Sequence, residues 1–165
     1  MSASKVLDAL RREIDVIDNS IHDLLMRRME VVVKVRNAKH DYKVMITPHR
    51  EAEILYRLIS RHQGPFPKRE LVRMWRELIV ATLSFEDAFS VAVCLDDDDG
   101  GYWDLARDQY GSFTPMLAQA SVRRVIEAVH DQKATVGILP LPRRDDDDPW
   151  WRHLVTESNG APKII

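Results

Sequence analysis

Apolar residues recur along the first forty positions as Leu7, Leu10, Ile14, Ile17, Ile21 and Leu24, and again as Val31, Val35 and Ala38. The 3-4-3-4 spacing is a seam of the coiled-coil kind and predicts one helix over residues 5–40, uninterrupted by Pro or Gly. At 1.5 Å per residue it would be about 50 Å long, too long for a small globule to cover, so it calls for a partner helix, most simply that of a second copy. A break follows at 40–46. Thr47 then reads as an N-cap with Pro48 at the first helical position. Ile54, Leu55, Leu58 and Ile59 line one face of this second helix, which stops at Gln63-Gly64-Pro65. Pro67-Lys68 opens a third helix with Leu71, Trp75, Leu78, Thr82 and Phe85 on one stripe.

The period then changes. Ser90–Leu95 predicts a strand, 96–101 a turn or linker, Tyr102–Tyr110 a helix, Ser121–Asp131 a second helix and Thr135–Leu141 an apolar strand. Lys163-Ile164-Ile165 reads as the middle of a strand. The fold class is therefore an all-α three-helix domain over 1–88, followed by a small α/β segment over 89–165 that looks incomplete.

Composition narrows the function. The 165 residues are 45% hydrophobic and 30% charged, which suits a chain with a core. No apolar run approaches the roughly 20 residues that span a bilayer, and the N-terminus lacks a secretion signal. The single cysteine excludes an internal disulfide and a cysteine-clustered zinc site, and a reducing cytoplasm is the expected compartment. Net charge is about +3 over 1–87 and −5 over 88–165, too weakly basic to point to nucleic acid.

The informative polar residues break the helical pattern. Arg28 falls at a seam position, where an always-charged guanidinium needs an acidic neighbour or an anionic ligand. Lys39 lies three full turns further on and points the same way, about 16 Å along the axis. Between them, two long side chains could grip a small dianion. Arg11 is about 25 Å from Arg28 along the axis and about 100° round it, so only a partner chain's Arg11 could join this Arg28; otherwise it is solvated. Thr82 and Glu86 are one turn apart on the third helix. A carboxyl on an apolar face tends to keep its proton, whereas a frayed helix end would leave it in water. Arg50-Glu51 opens the second helix, where the helix dipole favours Glu51. Such a set suits a small polyanionic metabolite, without a metal or cofactor.

At these residues the sequence resembles the all-helical chorismate mutase family, from about Val6 to Phe89. The resemblance is carried by Leu10-Arg11-Arg12-Glu13-Ile14, Ile17-Asp18, Leu24-Leu25-Met26-Arg27-Arg28 and Val35-Arg36-Asn37-Ala38-Lys39. Pro48-His49-Arg50-Glu51 and Trp75-Arg76-Glu77-Leu78-Ile79, leading to Thr82 and Glu86, complete it. It implies a cofactor-free, metal-free rearrangement of chorismate to prephenate on the route to Phe and Tyr, by an intertwined homodimer. Arg28 and the partner chain's Arg11 would bind the carboxylates, and Lys39 would bridge a carboxylate and the ether oxygen. Glu51 would accept the ring hydroxyl's hydrogen bond, helped by backbone near Thr47. Arg50 would orient the site, Thr82 would touch a carboxylate, and Glu86 would meet the ether oxygen opposite Lys39. The family often has Asp where Thr47 falls. Some relatives on this scaffold are isochorismate-pyruvate lyases, an alternative activity. A regulatory small-molecule-binding dimer without turnover and a helical interaction module are the non-enzymatic alternatives.

The second half resembles the opening of a prephenate dehydratase domain at Tyr102-Trp103-Asp104-Leu105-Ala106 and Val136-Gly137-Ile138-Leu139-Pro140-Leu141-Pro142. The Thr-Arg-Phe motif of that family is absent and the glycine-rich opening is reduced to Gly100-Gly101-Tyr102, so dehydratase activity is not expected. The acidic run Asp145–Asp148 reads as a solvated loop or a cation site, Trp150-Trp151 as packing, Cys94 as a small core residue and His49 as an exposed or pocket-edge residue.

Overall fold

The computed structural model describes residues 3–38, 46–86, 88–95, 101–142, 149–154 and 161–165, with Glu86 placed by its backbone alone. Three helices come first: α1 (Ala3–Ala38), α2 (Pro48–Arg61) and α3 (Lys68–Glu86). The α/β segment follows as β1 (Val91–Cys94), α4 (Tyr102–Tyr110), β2 (Met116–Gln119), α5 (Val122–His130), β3 (Val136–Ile138) and a short 3-10 helix, Trp150–Leu154. Packing divides the chain into two compact units, Met1–Lys43 and Val44–Ile165.

The first unit is α1. Its 36 residues make a rod about 54 Å long. None of them is buried, and the seam residues Leu7, Leu10, Ile14, Ile17, Ile21, Leu24, Val31 and Val35 are each about half exposed. The predicted seam is thus an apolar stripe on the surface of a single chain.

In the second unit, α2 and α3 pack on each other, and α3 packs on α4. The three strands form a parallel sheet in the order β2-β1-β3. Its two faces sort by the two-residue strand period. Val91, Val93 and Val136 point to one side, where they pack with Phe89, Ala106 of α4 and Val80 of α3. Ala92 and Cys94 point to the other side, against Val125 and Ala128 of α5. Gly137 stands beside Ala92 in the ladder. A Cβ there would come within 2.6 Å of Val125 Cγ1 and 3.2 Å of Val129 Cγ2, so the small residues let α5 sit close to the sheet. Cys94 is a buried core residue, as expected.

Several expectations need correction. The strand β2 was not anticipated; it exists because Val91–Cys94 pairs with Met116–Gln119 in register. The apolar run 135–141 forms a strand only over Val136–Ile138, since Pro140 and Pro142 cannot donate to a ladder. Residues 161–165 join no strand, and Ile164 and Ile165 are exposed. On α3 the buried residues are Ile79 and Val80, while Phe85, placed on the predicted stripe, is 53% exposed. The helix is oriented by its contacts with α4 and the sheet rather than by the Leu71–Trp75–Leu78 stripe alone. Trp150 is a packing residue: its Nε1 donates to the Pro140 carbonyl at 2.8 Å. Among the described residues, no helix is long and apolar enough to cross a membrane. The run Asp145–Asp148 lies outside the described residues.

Candidate active site

In the first unit, α1 carries Arg11 and Arg28 seventeen residues apart, about 25 Å along one rod. Arg11 is exposed and pairs with Asp8 at 3.6 Å, one helical turn away. Arg28 is partly buried, and that burial pulls its guanidinium below its ordinary value, although a group of this basicity stays charged at neutral pH. Lys39 lies outside the described residues.

In the second unit, the start of α2 gathers Thr47, Arg50 and Glu51. Thr47 occupies the N-cap, with Pro48 following, but its side chain makes no capping hydrogen bond. The turn is closed by backbone instead: the N–H groups of Arg50 and Glu51 donate to the Thr47 carbonyl at 2.9 and 3.1 Å. Arg50 is exposed and donates from Nη1 to Glu53 Oε2 at 3.0 Å, so it is held along its own helix. On α3, Thr82 Oγ1 donates to the Leu78 carbonyl at 2.8 Å, which uses its proton. Glu86 ends the same helix one turn later, and its side chain is outside the description.

Glu51 is the predicted site residue whose surroundings are most fully defined. It is half-buried in the first turn of α2. Burial pushes its carboxyl above the usual carboxylate range, and the positive charge of Arg76 on α3 opposes that rise. Among the described residues, no side chain forms a hydrogen bond or ion pair with this carboxylate. Tyr110 of α4 completes the group. Burial and the Glu51 charge push its phenol upward, with Arg76 opposing, so it stays a neutral donor.

Sequence reasoning did not single out Arg76, Gln109 and Tyr110 as a group. Arg76 was visible only inside the Trp75-Arg76-Glu77 motif, and its partner Gln109 lies 33 residues away. These two residues, with Leu105, Asp108, Tyr110 and Ile138, line a cavity of about 350 Å³. A second cavity of about 620 Å³ is lined by apolar residues including Val125, Val129, Ile138 and Ile164, and by none of the predicted site residues. Among the described residues, no group of three or more His, Cys, Asp or Glu could hold a metal ion.

Residues 10–87 match the family model for Chorismate mutase type II. A protein of Aquifex aeolicus (strain VF5), named Bifunctional chorismate mutase/prephenate dehydratase, is 30% identical over 140 residues, covering 82% of this chain and 38% of that protein. A protein of Stutzerimonas stutzeri with the same name is 34% identical over 148 residues, covering 86% of this chain and 40% of that protein. The chain thus spans about two-fifths of the length of these curated relatives. No solved structure matches it. The resemblance of the helical half to the all-helical chorismate mutases is shown by these matches, which extend through the α/β segment to relatives that carry a dehydratase name.

Proposed function

We propose that the chain is a chorismate mutase, converting chorismate to prephenate in aromatic amino-acid synthesis as a homodimer. The observation that carries this reading is the family match over residues 10–87, which contains every position from Arg11 to Glu86 that the chemistry requires. The reaction is a unimolecular Claisen rearrangement. It needs no covalent intermediate and no general base. The protein has two tasks: to hold the substrate in a compact near-attack shape, and to favour a transition state whose ether oxygen gains negative charge.

The residue types answer those tasks. Arg28, Lys39 and the Arg11 of a second copy would neutralise the two carboxylates of the substrate. Planar guanidinium groups suit carboxylates because they donate two parallel hydrogen bonds. Lys39, a compact charge on a long stem, would also reach the ether oxygen. Glu86 would donate to that oxygen from the opposite side in its protonated form. Glu51 would accept the ring hydroxyl, beside the Thr47 backbone and with Arg50 at the rim. Its half-buried position and lack of a direct partner among the described residues support an acceptor kept for a ligand. Thr82 would contact a carboxylate. The half-exposed seam of α1 supports pairing of two copies, since eight aliphatic residues gain from cover that one chain does not supply.

The test is loss of chorismate absorbance with the purified chain, with Arg28→Ala as control. Conversion to prephenate that falls at least about 100-fold in the variant is expected, the usual scale for removing a group that stabilises developing charge. A folded wild-type chain that leaves chorismate unchanged from mildly acid to mildly basic pH would refute the reading, and isochorismate would then be tried.

A further inference from the structure

The face that α3 turns toward the α/β segment is built in register. Arg73, Arg76, Glu77 and Val80 follow helical spacing, and each meets α4, the residues just beyond it, or the sheet. Arg73 pairs with Asp108 at 3.5 Å, but both side chains are more than half exposed, and such surface pairs contribute little. Arg76 Nη1 donates to Gln109 Oε1. Glu77 Oε1 accepts from both the N–H and the Oγ of Ser112, each at 3.1 Å. Val80, one turn after Arg76, is buried with Phe89, Val91 and Ala106.

The backbone is shaped around the Glu77 contact. One carboxylate oxygen takes two donors from a single residue, and hydrogen bonds to a carboxylate are the stronger kind. Gly111, between α4 and Ser112, is buried, with φ +82° and ψ 155°, a conformation essentially confined to glycine. A Cβ there would stand 2.7 Å from Glu77 Oε2 and 3.6 Å from Val80 Cγ1. The glycine therefore lets the chain leave α4 in this direction and approach α3 closely enough for Ser112 to reach the carboxylate.

Thr82 and Glu86 follow on the same helix. Helical steps of about 100° put positions 82 and 86 about 140° and 180° round the axis from Glu77, and about 8 and 14 Å further along it. The helix is thus anchored on one side and carries the two candidate site positions on the other. A rod held on one side passes any shift or rotation at its anchor to the opposite face. Resting on the mutase reading for the roles of Thr82 and Glu86, we propose that Glu77 is a positioning residue: Ser112 latches its carboxylate, fixes α3 on the α/β segment, and so sets where Thr82 and Glu86 stand in the site. The second half of the chain thereby takes part in the mutase without touching substrate.

The test measures kcat and KM for chorismate in the full chain, with hydrogen exchange of the α3 backbone as a readout that needs no turnover. Glu77→Ala removes both hydrogen bonds. It should lower kcat about threefold to thirtyfold with a smaller change in KM, since small misplacements cost most where charge develops in the transition state. It should also speed exchange in the last two turns of α3. Glu77→Gln keeps an oxygen for Ser112 and should restore kcat to within about twofold of wild type, which general loss of packing does not predict. Ser112→Ala removes one of the two bonds. It should lower kcat by a smaller factor in the wild type and have no further effect in Glu77→Ala, because both act through one contact. Ser112→Ala alone carries the test if Glu77→Ala does not fold. Unchanged kcat in either single variant, or additive effects of the two, would overturn the proposal. Exchange unmoved by the substitutions overturns the latch itself, whereas faster exchange in a chain whose wild type leaves chorismate unchanged keeps the latch and overturns the purpose given to it.

Discussion

Replacing Gly137 by alanine probes how closely α5 is seated on the sheet. The new Cβ would lie 2.6 Å from Val125 Cγ1 and 3.2 Å from Val129 Cγ2, whereas relaxed carbon contacts are about 3.5–4.0 Å. One surface must retreat by about 1 Å. Val125 is fully buried, and its branched side chain has essentially one comfortable rotamer in a helix, so it cannot turn aside. Overpacking of this kind costs about 1–3 kcal/mol, of which the lost glycine flexibility of the unfolded chain returns about 0.4–1 kcal/mol. Val125→Ala alone removes two methyl groups and leaves a void, at a cost of about 1–3 kcal/mol. In the double variant the alanine Cβ occupies space that Val125 Cγ1 has vacated. The pair should therefore be less destabilised than the sum of the singles by about 1 kcal/mol or more. Urea unfolding of all four chains, followed by tryptophan fluorescence, gives the coupling directly. Additivity within about 0.5 kcal/mol, or a Gly137→Ala chain as stable as wild type, would refute the close seating of α5.

Three further outcomes are expected. Ile17→Asp places a charge at the middle of the exposed α1 stripe and should shift the chain toward monomer in sedimentation, with loss of turnover; an unchanged mass would count against pairing through the seam. Glu51 titrates above its unfolded value, so its favourable contribution to stability is present below that value and is lost as pH rises through the folded one. Glu51→Gln should accordingly stabilise the chain near neutral pH by less than about 1 kcal/mol, with the gain vanishing in acid; a gain that persists in acid would contradict the burial argument. Mutase activity should decline as pH rises through the Glu86 carboxyl's titration, and Glu86→Gln should flatten the profile, whereas a flat wild-type profile would exclude a protonated Glu86.

The three helices were legible because each has an uninterrupted apolar period, with Thr47-Pro48 and Gly64-Pro65 marking both ends of α2 and Pro67 the start of α3. The parallel sheet was harder to see. The segment Met116–Gln119 has neither the β-branched residues nor the alternation of a strand, and only its pairing with β1 makes it one. On α3 the stripe tells only part of the packing: Leu71, Trp75, Leu78 and Thr82 are half-buried, while Val80, off the stripe, is buried with Phe89 and Val91 of the segment that follows. Within the candidate site, Glu51 was readable from its place in a first helical turn. The Arg76–Gln109 hydrogen bond was not, because pairing across 33 residues leaves no local period. Lys39 and the Glu86 side chain lie outside the described residues, so their parts rest on the resemblance and the chemistry.

The links along α3 also bear on inheritance. Arg73 with Asp108, Arg76 with Gln109, and Glu77 with Gly111 and Ser112 are three matched pairings drawn from opposite sides of residue 88. A chimera joining the helical half of this chain to the α/β half of a relative would be continuous in sequence yet mismatched at this seam. A side chain in place of Gly111 would displace Glu77, and an apolar residue in place of Gln109 would release Arg76. Exchange between relatives should therefore succeed only where both sides of the pairings travel together.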